Sequence, residues 1–358
     1  MPCISVIMPM YNASRTVTYS VDALLNQTFK DIEILVVDDC STDNSYLLCQ
    51  KKYENEPRVV LMKQEKNGGP AAARNRAIEE ARGEYITFLD SDDGIVKDGL
   101  EKMYETAKAY DADVVHTTGC FLPVHKPEVC DIMSVPEDHY IPLIKDKDPV
   151  TETTLHDEDY SKRFELWKEG GLNGNVWGKM FRRSFLIEDN VRFAPLKMSE
   201  DVLFSFECIM RAKRYVILPY SCIIYRMVGE SLSRGNRDIP FMIKILESTL
   251  AGNDRFMEKM NNIPFFIENP GLKDAVLKYV DDTMDMVYVT PAYQEVGGDK
   301  IKNDERIHEL FRKHFGVNTA CFERYFYKKM DAEPPVPDYL IGEITYETLL
   351  TQLEGLRG

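Results

Sequence analysis

Three carboxylates arrive together in Ile86-Thr87-Phe88-Leu89-Asp90-Ser91-Asp92-Asp93-Gly94, directly behind four residues of strand character. In an open α/β sheet, the C-terminal ends of the strands are where ligands bind. An Asp-x-Asp pair there offers hard oxygen ligands to a divalent cation whose other ligands come from a substrate phosphate. Aspartates also cap helices and fill turns, so the pair alone does not decide between the two readings. Asp38-Asp39-Cys40-Ser41 closes a second apolar run, and there capping is the competing role for Ser41 or Thr42. Gly68-Gly69-Pro70 permits close backbone approach at the start of a helix, whose N-terminal amides favour anions. Glu200-Asp201, in Lys197-Met198-Ser199-Glu200-Asp201-Val202-Leu203-Phe204, stands at another helix start. That position favours the ionised carboxylate, which suits a proton acceptor better than a donor.

These residues need a frame. Ile4–Met8, Ile32–Val37, Arg58–Met62, Tyr85–Leu89 and Asp113–Thr117 read as strands. Between them, Val17–Leu25 (behind a Ser14 cap), the polar stretch after Thr42, Pro70–Arg82 and Val96–Ala109 carry helical spacing, and Asp93 is a candidate cap for the last. Alternation of helices with nearly continuous apolar strands predicts a mainly parallel sheet with helices on both faces. Residues 121–172 are polar and punctuated by Pro123, Pro127, Pro136, Pro142 and Pro149, as in a surface insertion. Regular pattern returns in Asn175–Leu186, in a helix near Ser199–Lys213 and in the strand-like Tyr215–Tyr225. From Ile239 to about Tyr327 the pattern is mostly helical. The chain thus divides into residues 1–120, 121–238 and a helical C-terminal extension, 239–358.

Composition narrows the function. The 358 residues are 44% hydrophobic, enough for a substantial core. No apolar run reaches the roughly 18 residues that span a bilayer, and the N-terminal segment carries no signal-peptide pattern. The 8 cysteines are scattered without a C-x-x-C pair, which predicts reduced thiols and a cytoplasmic protein. A net charge of −15 argues against nucleic acid as a partner.

Taken in order, Ile4-Ser5-Val6-Ile7-Met8-Pro9-Met10-Tyr11-Asn12, Gln27-Thr28-Phe29, Glu33–Asp43, Asn67–Asn75 and Gly83–Asp93 resemble the nucleotide-sugar-binding half of the family 2 glycosyltransferases. The resemblance covers about the first 120 residues and continues more loosely to about Arg234. It implies the GT-A fold, a Rossmann-like α/β domain, and an enzyme moving one sugar from a UDP-sugar to a hydroxyl. By resemblance, Asp39 accepts from the imide N–H of uracil, with Pro9 and Tyr11 walling the base. Asp92 binds Mn2+ or Mg2+, while Asp90, with Ser91 beside it, approaches the ribose or donor sugar. Arg74 either contacts the nucleotide or orients the acidic loop, a surface ion pair being the alternative. Asp201 corresponds to the catalytic base, with Glu200 as a supporting or acceptor contact, and one placed base implies inversion at the anomeric carbon.

Asn175-Val176-Trp177-Gly178-Lys179-Met180-Phe181 resembles a segment of the bacterial branch. Trp177 either stacks on a sugar or packs inside; Lys179 either meets a phosphate or sugar oxygen or lies on the surface. In Tyr225–Arg234, many relatives carry His three residues after the Tyr, where this chain has Val228. Arg226, Glu230, Ser231 or water is left to supply that contact. The Gln-x-x-Arg-Trp signature of processive synthases is absent, which favours single addition. The acceptor implied is a glycan, of a surface polysaccharide or lipid-linked, with a peptide as the alternative. Competing functions are a sugar-nucleotide-binding protein with weak turnover and a phosphotransferase with an Asp-x-Asp nucleophile. The latter usually carries that pair after its first strand. Between Arg306 and Lys329, six Lys or Arg stand against two Glu among aromatic residues. Peripheral contact with the inner face of an anionic membrane and helical packing, including a homodimer interface, are the two readings.

Overall fold

A computed structural model describes residues 1–123, 140–142, 151–172, 174–226, 238–284, 289–297, 300–301, 303–313 and 326. The chain forms two units: Met1–Pro195 with Asp201–Val228, and Leu196–Glu200 with Gly229–Gly358. The expected segments 1–120 and 121–238 therefore lie mostly in one unit.

The first unit is built on a 10-stranded sheet. Strands β1 (Ile4–Met10), β2 (Ile32–Asp38), β3 (Val59–Lys63) and β4 (Tyr85–Phe88) run parallel in the order β3-β2-β1-β4. Every residue of β2 and β4 is buried, as continuous apolar strands between helical layers require. Helices α1 (Val17–Leu25), α2 (Ser45–Tyr53) and α3 (Gly69–Glu80) make the crossovers, and α4 (Gly99–Ala109) follows β4 and the two-residue β5 (Gly94–Ile95). Met10 stands opposite Asp38 and Ile7 opposite Phe88, so β1, β2 and β4 end at one edge of the sheet.

Beyond β4 the sheet is mixed. Strands β6 (Val114–Pro123) and β10 (Tyr215–Ile224) are parallel to each other. Strands β7 (Tyr140–Pro142) and β8 (Thr154–His156) pair antiparallel with β6 and β10. Strand β9 (Lys179–Arg182) inserts antiparallel between β4 and β6. Because β9 runs against β4, its first residue lies level with the C-terminal end of β4. Helices α5 (Tyr160–Lys168), α6 (Arg183–Glu188) and α7 (Glu200–Arg211) complete the connections.

Local expectations differ at three places. The side chain of Ser14 does not cap α1; the cap position is Thr16, without a side-chain cap bond, and Ser14 N–H donates to Asp43 Oδ2 at 3.1 Å. The helix expected from Val96 starts at Gly99, because Gly94–Ile95 pairs with the end of β10 instead. Ser41 and Thr42 do not cap α2. Ser41 Oγ accepts from Asn12 N–H at 3.0 Å, and Asn12 Oδ1 accepts from Thr42 N–H at 2.8 Å, tying the β1 and β2 loops together.

Gly83, before β4, has no room for a side chain. A Cβ there would lie 2.5 Å from Ser5 N and 2.8 Å from Ile4 C. Gly83→Ala must push two neighbouring strands apart, and an overpacking cost of about 3 kcal/mol is expected. A fall in the urea midpoint without a change in slope would register it; an unchanged midpoint would contradict the packing.

In the second unit, α8 (Ile239–Met260) is capped by Asp238, whose carboxylate accepts from Phe241 N–H at 2.9 Å. Helices α9 (Pro264–Glu268), α10 (Leu272–Met284), α11 (Thr290–Val296) and α12 (Glu305–Lys313) follow, with Asn253 of α8 donating to Asp281 of α10 at 2.7 Å. The basic–aromatic segment 306–329 is described only for Arg306–Lys313 and Phe326. There, Phe311 is buried against Phe326 at 5.6 Å, which gives both rings to packing. Among the described residues no helix is long and apolar enough to cross a membrane, and no disulfide joins the six cysteines.

Candidate active site

The shared strand edge collects most of the expected residues. Asp39 N–H donates to Met10 O at 2.8 Å, which holds the β2 loop against the end of β1. The Asp39 side chain is buried, and its Oδ1 accepts from Gln64 Nε2 at 2.9 Å and Gly68 N–H at 2.8 Å. Oδ2 accepts from Gly69 N–H at 2.8 Å. The anion that the amides at the start of α3 favour is thus the Asp39 carboxylate of the same chain. Gly69 takes φ +78° to make this turn, a conformation that suits glycine. Beside it, Tyr11 projects from the end of β1 and is 51% exposed, with Pro9 half-buried behind it. An exposed ring flanked by a buried carboxylate can stack on a planar base.

The acidic turn is anchored from below. Arg74, buried in α3, pairs with Asp90 Oδ1 at 2.9 Å and lies over the Phe193 ring at 5.3 Å. Phe193 is itself stacked on Phe204 at 3.9 Å and held by a mutual amide bridge to Asn75, 2.9 Å in each direction. Arg74 is thus paired within the acidic loop, and its burial does not fit the surface ion pair that was the alternative. Asp93 does not cap α4. It is 1% exposed and accepts from Arg226 N–H at 2.9 Å, joining the acidic turn to the end of β10. Burial, reinforced by the charges of Asp92 and Asp90, pushes its carboxyl well above the ordinary range. Ser91 and Asp92 are half-buried in the same turn.

No group of three or more His, Cys, Asp or Glu able to hold a metal occurs among the described residues. The donor chemistry nevertheless fits a hard cation. Asp90 and Asp92 supply oxygen, and their repulsion of Asp93 marks excess negative charge. One or two carboxylates completed by substrate phosphate and water is the usual arrangement for Mg2+.

Asp201 lies one residue into α7, and its Oδ1 accepts from Val202 N–H at 2.8 Å. The positive helix end favours its ionised form. Ser199, at φ +64°, turns its hydroxyl to Met284 Sδ at 3.1 Å instead of capping the helix. Glu200 is buried at the first position of α7.

Two residues of the preceding loop are buried. Trp177 is 8% exposed and stacked on Tyr225 at 6.2 Å, which accords with the packing reading of its ring. Lys179 is 1% exposed, with its ammonium donating to the Asn175 carbonyl, so it neither lies on the surface nor reaches outward to a phosphate. Arg226 Cζ lies 5.5 Å over the Tyr19 ring. Val228, Glu230 and Ser231 lie outside the described residues. Asn12, Gln64, Asn75 and Phe193 hold the site without having been assigned roles from sequence. Asn12 and Asn75 stood inside recognised motifs; Gln64 and Phe193 carried no local signal.

A family model described as "Glycosyl transferase family 2" matches residues 5–120. An uncharacterized glycosyltransferase of Haemophilus influenzae is 31% identical over 241 residues, 66% of this chain and 84% of that protein. Glycosyltransferase GlyA of Streptococcus pneumoniae is 31% identical over 231 residues, which span 64% of this chain but only 31% of GlyA. Among solved structures, S. aureus TarS 1-349 in complex with UDP superposes with a TM-score of 0.60 at 20% identity, covering 100% of this chain and 91% of that one. That likeness is one of fold. The edge-clustered motifs, the matching family model and the Haemophilus relative together identify the chain as a member of glycosyltransferase family 2, with a GT-A-type fold.

Proposed function

We propose that this protein is an inverting glycosyltransferase that moves one sugar from a UDP-sugar to a hydroxyl of a carbohydrate acceptor, with a divalent metal in the donor site. The observation that carries this reading is the convergence of Tyr11, the Asp39 loop and the Arg74-braced Asp90–Asp92 turn on one sheet edge. The UDP complex of TarS supports the choice of nucleotide.

The uracil stacks on Tyr11, and the remaining lone pairs of Asp39 accept its imide N–H. Asp90 faces the ribose or donor sugar while Arg74 fixes its orientation. Asp92 would hold Mn2+ or Mg2+, which would supply positive charge to neutralise the departing diphosphate. Arg226, at the far side of the acidic turn, is the side-chain cation for the diphosphate. Asp201 accepts the proton of the acceptor hydroxyl as its oxygen bonds to the anomeric carbon and the bond to UDP breaks on the opposite face. One base and a direct displacement invert the configuration. The acceptor is a glycan hydroxyl, and transfer stops after one sugar.

Thermal unfolding with UDP tests the donor site. A ligand that binds only the native state stabilises it by about 2.7 kcal/mol at roughly 100 times Kd. The expected result is a rise in Tm with UDP that is larger with Mn2+ than with EDTA. No rise with any nucleoside diphosphate would overturn the reading.

A further inference from the structure

Lys179 is an unusual residue to bury. An ammonium removed from water is costly unless a charge and hydrogen bonds compensate it. The fold goes to some length to keep this one where it is. Gly178 turns into β9 at φ +70°, and a Cβ there would meet Thr117 Oγ1 at 2.8 Å. The Gly178 carbonyl accepts from Thr117 N–H at 2.9 Å and Thr117 Oγ1 at 2.8 Å, and the Lys179 carbonyl accepts from Thr87 Oγ1 at 2.8 Å. Both neighbouring strands therefore clamp the backbone that carries Lys179.

The side chain is directed at α7. Its ammonium donates to the Asn175 carbonyl, which also accepts from Ser205 Oγ at 3.0 Å. Ser205 is four residues after Asp201 and Cys208 seven, so all three share one helix face. Gly174 closes the contact: a Cβ there would lie 3.0 Å from the Val202 side chain. Asp201, one turn before Ser205 on that face, is the carboxylate whose charge acts on the ammonium, and the Cys208 thiol is the other titratable group of α7 that does so. Across the β6–β9 pairing, His116 stands opposite Lys179 and hydrogen-bonds the buried Tyr215 hydroxyl of β10 at 2.7 Å.

We propose that Lys179 is the positioning residue of Asp201: its clamped, buried ammonium orients that carboxylate and keeps it ionised as the proton acceptor. The inference rests on Asp201 being the base. Burial lowers Lys179 to about 7, with the charge of Asp201 opposing the shift. Below that pH the ammonium is charged and favours ionised Asp201; above it the pairing fades. A missing cation raises a carboxylate's pKa.

The test is the pH dependence of transfer for wild type, Lys179→Met, Lys179→Arg and Asp201→Asn, with UDP-induced thermal stabilisation as the folding control. Lys179→Met is expected to lower kcat roughly tenfold or more with donor KM unchanged. Its acidic limb should move up by about one pH unit, so its deficit is greatest below the pH of about 7 at which Lys179 titrates. Lys179→Arg keeps the charge and should keep the wild-type limb; it carries the test alone if the Met variant does not fold. An unmoved limb in Lys179→Met, or in Lys179→Arg a limb displaced upward, overturns the inference. Full transfer by Asp201→Asn would instead remove the base assignment beneath it, and that outcome is separable from the others.

Discussion

Asp201→Asn is expected to lower sugar transfer by about 10²–10⁴-fold while UDP affinity stays nearly unchanged. That range is the usual contribution of a placed general base. The amide is nearly isosteric and can still accept from Val202 N–H through its oxygen, as the carboxylate does at 2.8 Å. The start of α7 should therefore keep its geometry. What disappears is the capacity to take a proton from the acceptor hydroxyl. Single-turnover rates measure the loss, and calorimetry with UDP measures the retained affinity. Loss of both together would make Asp201 a structural or donor-binding residue, and retention of transfer would exclude it as base.

Asp92→Asn is expected to abolish the metal-dependent part of UDP binding and to lower turnover by about two orders of magnitude or more. Stabilisation of a leaving diphosphate by a divalent ion is worth several kcal/mol, and each 1.36 kcal/mol is tenfold in rate. The acidic turn should survive, because the residues on both sides of Asp92 keep their anchors. Asp90 is held by Arg74 at 2.9 Å and Asp93 by Arg226 N–H at 2.9 Å. In thermal unfolding, UDP should raise the variant's Tm equally with Mn2+ and with EDTA. A metal-dependent increment of wild-type size in Asp92→Asn would move the metal to other residues.

The parallel half of the fold was legible because buried strands leave continuous apolar runs such as Ile32–Val37, and the acidic turn was legible because its motif is local. The parts that escaped depend on contacts distant in sequence. Strand β9 is four residues long and contains Lys and Arg, so nothing in Lys179–Arg182 announces a place between β4 and β6. Gly94–Ile95 is too short to declare itself a strand beside a helical pattern. Lysine is rarely buried, so the inward turn of Lys179 ran against the ordinary expectation for its type. Asp39 illustrates a finer limit. Its importance was visible after a buried strand, but its bonds to Gly68 and Gly69 join residues about thirty apart. Ser41 and Thr42 carry the residue types of helix caps; only the fold reveals that Asn12 claims them.

Transfer of one sugar from a UDP-linked donor to a glycan hydroxyl is the proposed reaction. Its most direct test is mass spectrometry of a panel of carbohydrate acceptors incubated with UDP-sugars and Mn2+, using wild type and Asp201→Asn. The expected product is an acceptor heavier by a single sugar residue, dependent on a UDP-sugar and nearly absent with the variant. Equal product from both proteins, or transfer only from donors that are not UDP-sugars, would contradict it.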